Sequence, residues 1–210
     1  MIISELIRDK KHLVKVCFLG GEEILLDKDV CADNALCADM DLTEEEVQKL
    51  LYVSDFTRAK SRALWYLDRS DYTEKSIYNK LLQAKFPKKA SAAAVGRLVE
   101  LGIIDDRRFA ERFFEKCLEH NVSKRETFHK MLLKGVPYEL TKEIIENGES
   151  DEEEQIKNLL QGKYASKILA ENGKQKVFAA LARKGFSFSA IRSAMNEVLE
   201  ESEFCEEYDV

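Results

Sequence analysis

Long hydrophobic runs are missing from this chain, and so are most residues that interrupt helices. No stretch of the sequence reaches the roughly 18 consecutive apolar residues that a membrane span needs. No contact with a membrane is therefore expected. Only two prolines and nine glycines occur among 210 residues, and abundant Leu, Ala, Glu and Lys fill their place, so the composition favours helix. The opening Met1-Ile2-Ile3-Ser4-Glu5 has no basic region followed by an apolar core, which argues against a secretory signal. The cysteines (Cys17, Cys31, Cys37, Cys117 and Cys205) are odd in number and form no C-x-x-C pair, as expected of reduced thiols in a cytoplasmic protein. Histidine is scarce as well: His12, His120 and His129 only. Cys117 and His120 stand three apart on a predicted helix, a metal-compatible spacing. No second pair accompanies them and Cys117 lies on an apolar stripe, so both read as helix residues and no metal or other cofactor is expected. The phosphate-binding, dinucleotide-binding and nucleophile-elbow motifs are all absent. Acidic runs such as Asp151 to Glu154 sit where helix starts explain them. The chain is not expected to be an enzyme.

Charge is plentiful but segregated. The net charge is −6, which at face value disfavours a nucleic-acid partner. Residues 1–55 hold 6 basic and 13 acidic side chains, whereas residues 56–148 hold 19 and 13. Residues 149–195 hold 8 and 6, and the last fifteen residues hold 7 acids and no base. A basic middle between acidic ends can meet a polyanion although the total is negative. The acidic head and tail could also compete with a polyanion for the same basic stripe.

The head, residues 1–55, reads as a hairpin plus a helix. Leu13–Leu19 is β-prone, Gly20-Gly21 supplies a tight turn, and Glu22 to Asp27 returns. Residues 28–42 show no period and read as a loop. Thr43-Glu44-Glu45-Glu46 is a capping box that opens a helix with Val47, Leu50 and Leu51 on its apolar face. From Phe56 the chain repeats with a step of 50: Leu81, Met131 and Leu181; Tyr78, Phe128 and Phe178; Leu64, Phe114 and Tyr164; Val95, Ile145 and Met195. These sets come from different helices, which predicts three units of three helices at 56–104, 105–148 and 149–200, followed by an acidic tail at 201–210. Second helices are expected after Thr73, Ser123 (with Glu126 completing a box) and Asn172-Gly173. They end at Lys134-Gly135-Val136 and Lys184-Gly185-Phe186, with glycine free to turn left-handed. In the first unit Lys85 stands at that place, so its cap is expected to be strained or built differently. Third helices begin near Pro87, Pro137 and Ser187, and Ser150-Asp151-Glu152-Glu153 opens the third unit. The fold predicted is mainly α: an elongated array of three tandem three-helix repeats behind a small β-hairpin-containing segment.

The joint between the first two units is Leu101–Ala110. Gly102 can end one helix in the left-handed conformation, with Ile103 as the apolar residue beyond it. Asp105 can cap the next helix, and Asp106 suits its first turn. Arg107 and Arg108 are cations at a helix start, where the macrodipole disfavours them. Either an anionic partner or a plain salt bridge keeps them there.

The basic side chains are the remaining candidates for function. Lys80, Lys85, Lys88, Lys89 and Arg97 cluster in the first unit, and Arg107, Arg108 and Arg112 follow on the joint. Lys124, Arg125, Lys130 and Lys134 lie in the second unit, and Arg183, Lys184 and Arg192 in the third. Lys80 with Lys130, and Lys134 with Lys184, keep the 50-residue step. Each alone reads as part of a solvated helix face; repeated, they suit a stripe for a long polyanion.

Arg62-Ala63-Leu64-Trp65-Tyr66-Leu67, Gly102-Ile103-Ile104-Asp105-Asp106-Arg107-Arg108-Phe109-Ala110 and Arg183-Lys184-Gly185-Phe186-Ser187 together resemble the RecX regulatory proteins over about residues 56–200. The resemblance implies tandem three-helix repeats. It further implies a modulator, usually an inhibitor, of the RecA recombinase, working in recombination, DNA repair and the SOS response. Such a protein would bind in the groove of the RecA–DNA filament and contact DNA weakly, without sequence specificity, as a monomer. Of the basic residues above, all but Lys124 and Arg125 would then form the filament- and DNA-binding set. The charge and the first 55 residues depart from the family pattern. Two other readings remain open: a RecA-independent helical DNA-binding regulator, and a scaffold for another protein.

Overall fold

The computed structural model describes residues 1–10 and 12–208, with side chains through Leu199 except that of Lys10. The acidic side chains of the expected 201–210 tail, and that of Cys205 with them, lie outside the described side chains. The chain divides into two compact units, Met1–Asp105 and Asp106–Val210.

The first unit opens with three antiparallel strands, β1 (Ile3–Lys10), β2 (Leu13–Phe18) and β3 (Glu23–Asp27), in the order β1-β2-β3. The β2–β3 hairpin forms as its sequence predicts, closed by Gly21 at φ +85°. β1 is an addition to the expected hairpin. Its pairing with β2 slips between Ile3 and Glu5, so Ile3 and Leu6 oppose the inward Phe18 and Val16 although they are three residues apart. That bulge breaks the alternation by which a strand is recognised. Residues 28–42 are not all loop: α1 (Lys28–Asp33) is a short helix capped by the Asp27 carboxylate. The sheet's inner face packs Ile3, Val16, Phe18 and Leu26 against Val30, Val47 and Leu50.

Thr43 opens α2 (Glu44–Leu67) with the full capping box: its hydroxyl accepts from the Glu46 amide, and the Glu46 carboxylate accepts from the Thr43 amide. Burial does not interrupt this helix at residue 55. Ser54 is buried and its hydroxyl accepts from the Asp27 amide at 2.7 Å, while Ala59 and Ala63 are fully buried in the next core. The head and the first repeat thus share one 24-residue rod, and the expected boundary at 55/56 falls inside it. α3 (Glu74–Gln83) and α4 (Lys88–Glu100) complete the first repeat.

The second unit holds α5 (Asp106–Glu119), α6 (Lys124–Lys134) and α7 (Tyr138–Asn147), then α8 (Glu152–Gln161), the one-turn α9 (Ala165–Ile168), α10 (Gly173–Lys184) and α11 (Phe188–Tyr208). The third repeat differs from the expected three helices in that its first helix breaks after Gln161, with α9 as a separate turn. Asp151, not Ser150, caps α8 by accepting from the Glu154 amide. Each repeat has its own core, and the 50-residue step marks it. Leu81, Met131 and Leu181 are all fully buried, a contribution of about 1.5–3 kcal/mol each.

The second helices end alike. Lys85, Gly135 and Gly185 have φ of +68°, +91° and +93°. The next residue's amide donates back to the carbonyl of Leu81, Met131 or Leu181 in turn. This is the six-to-one bond of a Schellman turn. Lys85 therefore takes the left-handed conformation that its two equivalents reach with glycine, and bears the strain itself. Gly102 ends α4 in the same way at φ +65°. There, however, the buried apolar residue is Ile104 at 2 % exposure, while Ile103 is 39 % exposed.

Candidate nucleic-acid interface

The candidate basic side chains of the first repeat lie on α3 and α4 and the turn between them, and Lys80 and Lys89 among them rest on aromatic rings. The Lys80 ammonium sits 5.1 Å from the Tyr66 ring centroid and 4.8 Å from that of Tyr72. Lys89 lies 5.2 Å from that of Tyr52. Lys85, Lys88 and Lys89 are exposed around the corner between α3 and α4. Arg97 is different, since it pairs with Glu100 at 2.9 Å.

Lys80 belongs to a cluster that charge counting on the sequence overlooks. Trp65 stands 44 % exposed in the last turns of α2. The Arg69 guanidinium lies 3.6 Å from its ring centroid and donates to the Trp65 carbonyl at 2.7 Å. Arg62 lies 4.8 Å from the Trp65 centroid and 5.4 Å from that of Tyr66. The Trp65 and Tyr66 rings meet edge to face at 5.2 Å, and Tyr66 meets Tyr72 likewise at 6.4 Å. The signal in the sequence is an arginine three before and four after the tryptophan, one helical turn to either side.

In the second unit Lys130, the equivalent of Lys80 by the 50-residue step, sits with a carboxylate instead of a ring. Ser123 caps α6, its hydroxyl accepting from the Glu126 amide and donating to the Lys184 carbonyl at 2.5 Å. That hydroxyl joins the second repeat to the third. Glu126 does not complete the expected box. Its carboxylate faces Lys130 at 2.8 Å and Lys184 at 3.7 Å instead. Burial alone pushes the Glu126 carboxyl up, but the Lys130 hydrogen bond and the charges of Lys184 and Lys130 outweigh it, so it is held below its usual value. The structure thus brings Lys130 and Lys184, from different repeats, onto one anion.

Arg107 answers the question its position raises. Both of its terminal nitrogens donate to the Glu143 carboxylate of α7 at 2.8 Å, a fork-on-fork pair. That bond, and the positive charge behind it, hold the Glu143 carboxyl below its ordinary value. Arg108, Arg112 and Lys134 are exposed, each with a partner of its own. Arg183 is exposed and donates to the Ala179 carbonyl. Arg192 lines an open groove of about 410 Å³ with Lys174, Phe178, Met195 and Leu199.

Burial pushes the Cys117 thiol up, which suits a core residue. Among the described residues no cluster of His, Cys, Asp and Glu could hold a metal ion, and no helix is long and apolar enough to cross a membrane.

Comparison with known proteins converges on one family. Residues 59–98 match the model of the RecX first three-helix domain, and residues 151–195 that of the RecX third three-helix domain. The regulatory protein RecX of Clostridium tetani is 26 % identical over 160 residues, 74 % of either chain. That of Caldanaerobacter subterraneus is 25 % identical over 93 % of this chain and 99 % of its own. In fold, a crystal structure of a regulatory protein RecX superposes with a TM-score of 0.68 at 20 % identity, over 93 % of this chain and 98 % of that one. RecX from Lactobacillus salivarius superposes with a TM-score of 0.60 at 21 % identity, over 69 % and 97 %.

Proposed function

We propose that this chain, which belongs to the RecX family of regulatory proteins, is a non-enzymatic regulator of the RecA recombinase that binds along the RecA–DNA filament and inhibits it. On this reading it acts in the cytoplasm, as a monomer, in recombination and DNA repair. Its contacts with DNA are weak and take no account of base sequence. The observation that carries the reading is the family match in both the first and the third three-helix repeat. The basic side chains support it. Lys85, Lys88 and Lys89 are exposed at the corner between α3 and α4 of the first repeat, and Lys80 lies over Tyr66 and Tyr72. The second unit adds Arg108, Arg112, Arg183 and Arg192, all exposed. A filament of protein wound on DNA offers phosphates and acidic side chains to such groups, with a strong dependence on salt.

The test is a side-by-side binding and activity assay. Titrated into RecA filaments, the protein is expected to slow strand exchange or ATP hydrolysis at fewer than one copy per RecA. Filaments should bind it more tightly than RecA alone or bare DNA. No effect on either reaction at saturating protein would overturn the reading. A sequence-specific footprint on bare DNA would put a RecA-independent DNA-binding regulator in its place.

A further inference from the structure

The cluster at the end of α2 has a feature that a helix terminus does not need. A helix can be closed by the Arg69 hydrogen bond to the Trp65 carbonyl alone. Here a large indole is left 44 % exposed on the helix whose other side buries Ala59 and Ala63 completely. Keeping that apolar area in water forgoes stabilisation the core could have taken. Around it stand two further rings, Tyr66 and Tyr72, and three cations. Those cations are placed over the rings, and of the three Arg69 is also tied down, by its hydrogen bond to the Trp65 carbonyl. The ion pair of Arg69 with Asp68 is a loose one, at 4.0 Å with the carboxylate 83 % exposed.

We infer that this cluster is a stacking site for an unpaired base of single-stranded DNA. The inference deepens the filament reading above and rests on it for the identity of the strand. The chemistry is that of single-strand recognition: an aromatic face accepts any base, and cations beside it take the flanking phosphates. Arg69 is in van der Waals contact with the Trp65 ring and anchored by its hydrogen bond, so it stays and backs the indole. Arg62, at 4.8 Å and shared with Tyr66, is the looser of the two. The base takes the place Arg62 now holds over the ring, and the guanidinium swings to the phosphate. Lys80, over Tyr66 and Tyr72, meets the next phosphate along. A duplex does not fit this site, because its base faces are already covered by their neighbours.

Trp65 is the chain's single tryptophan, so its fluorescence reports the site directly. The full chain is titrated at low salt with a short oligothymidine, and in parallel with an abasic oligomer of equal phosphate number. Binding of oligothymidine should quench Trp65, and the abasic strand should bind roughly tenfold more weakly without quenching. Trp65→Ala, followed by anisotropy of a labelled oligothymidine, should lose roughly tenfold in affinity, and Trp65→Phe less. Arg62→Ala, an exposed change that spares the fold, should weaken binding while keeping the quench. Equal binding of the two oligomers, no measurable binding of either, or unchanged affinity in Trp65→Ala at native helix content would each overturn the inference. RecA inhibition assayed with the same variants separates the two readings. Full inhibition without any stacking signal leaves the filament reading standing alone. Stacking without inhibition leaves the base site standing and removes the filament from it.

Discussion

Two basic regions of similar composition treat their charges in opposite ways. In the first unit, Lys80 and Lys89 lie over tyrosine rings, and Arg62 and Arg69 over Trp65. In the second, Lys130 and Lys184 share the Glu126 carboxylate and Arg107 is forked onto Glu143. A ring attracts a cation without neutralising it, so the field of the first set still reaches a polyanion. A carboxylate cancels the charge at short range, and a phosphate must first displace it. Equal counts of lysine and arginine therefore do not mean equal availability, and the 50-residue equivalence of Lys80 and Lys130 hides a difference in use.

The comparison is broken most directly by removing two cations from each side. Arg62→Ala with Lys80→Ala should lower affinity for RecA–single-stranded-DNA filaments roughly tenfold, and should reduce the slope of log K against log salt by about 1.4 for two phosphate contacts. Lys130→Ala with Lys184→Ala should cost less than about threefold. Anisotropy at several salt concentrations measures both. Equal losses would show that ring-held and carboxylate-held cations are equally available, and the distinction would fall.

Lys85 sharpens the same contrast from the backbone. It is exposed and basic, yet sits at φ +68°, where its equivalents are glycine. Lys85→Gly should stabilise the first unit by about 1 kcal/mol, since relief of the left-handed strain of ~1–2 kcal/mol outweighs glycine's greater freedom when unfolded. Urea unfolding reads the gain. If filament affinity drops in the same variant, the strain is retained for the sake of the charge. Loss of stability would mean that the Lys85 side chain holds the corner by contacts of its own.

How much of this was legible in the sequence follows from what kind of signal each feature leaves. The repeat register could be read, because Leu81, Met131 and Leu181 must be buried and burial tolerates few residue types. Helix ends at Gly102, Gly135 and Gly185 were equally plain, since the turn leaves a glycine. β1 was not legible because its bulge destroys the alternation. An end to the head at residue 55 leaves no mark in the helix, because α2 changes partners, from sheet to repeat, without a break in its helical period. Among the basic residues the sequence shows which are cations and leaves their partners out. Glu143 lies 36 residues from Arg107, and neither spacing nor composition ties them together. Trp65 was visible only as part of a family motif. Its flanking arginines matter through where they fold.

Glu126 sets the balance in the second unit, and a smaller effect is expected there. Glu126→Gln removes the anion between Lys130 and Lys184, at a cost of about 0.5 kcal/mol for a partly exposed pair. It should also raise filament affinity modestly by releasing two cations. Acid gives the same effect in the native chain. The folded carboxyl is held below its usual value, so its stabilisation is fully present above the ordinary carboxylate value of about 4.3 and is lost as pH falls through the lowered folded value. Thermal melts of native and Glu126→Gln protein should differ at neutral pH and converge once the pH has fallen below the lowered folded value. A difference that persists in acid would mean that glutamate's charge is not what the seam uses.

The smallest effect is expected at Arg107. Its position at a helix start suggests an anionic partner, and the structure supplies one from within the chain. Arginine and glutamate are both about half exposed, at 51 % and 47 % of their side-chain surface, so water already screens most of their attraction. Arg107→Ala should therefore leave helix content unchanged and filament affinity within about twofold, because a guanidinium occupied on both edges has little left to offer a phosphate. Glu143→Gln should act in the opposite sense, releasing Arg107 and strengthening binding slightly. The two variants must move affinity in opposite directions if the carboxylate is what keeps Arg107 from the polyanion. Should Arg107→Ala alone cost tenfold, Arg107 must leave Glu143 when the filament binds. The pair would then be a resting state of the interface, and carboxylate-held cations elsewhere in the second unit would have to be counted as available too.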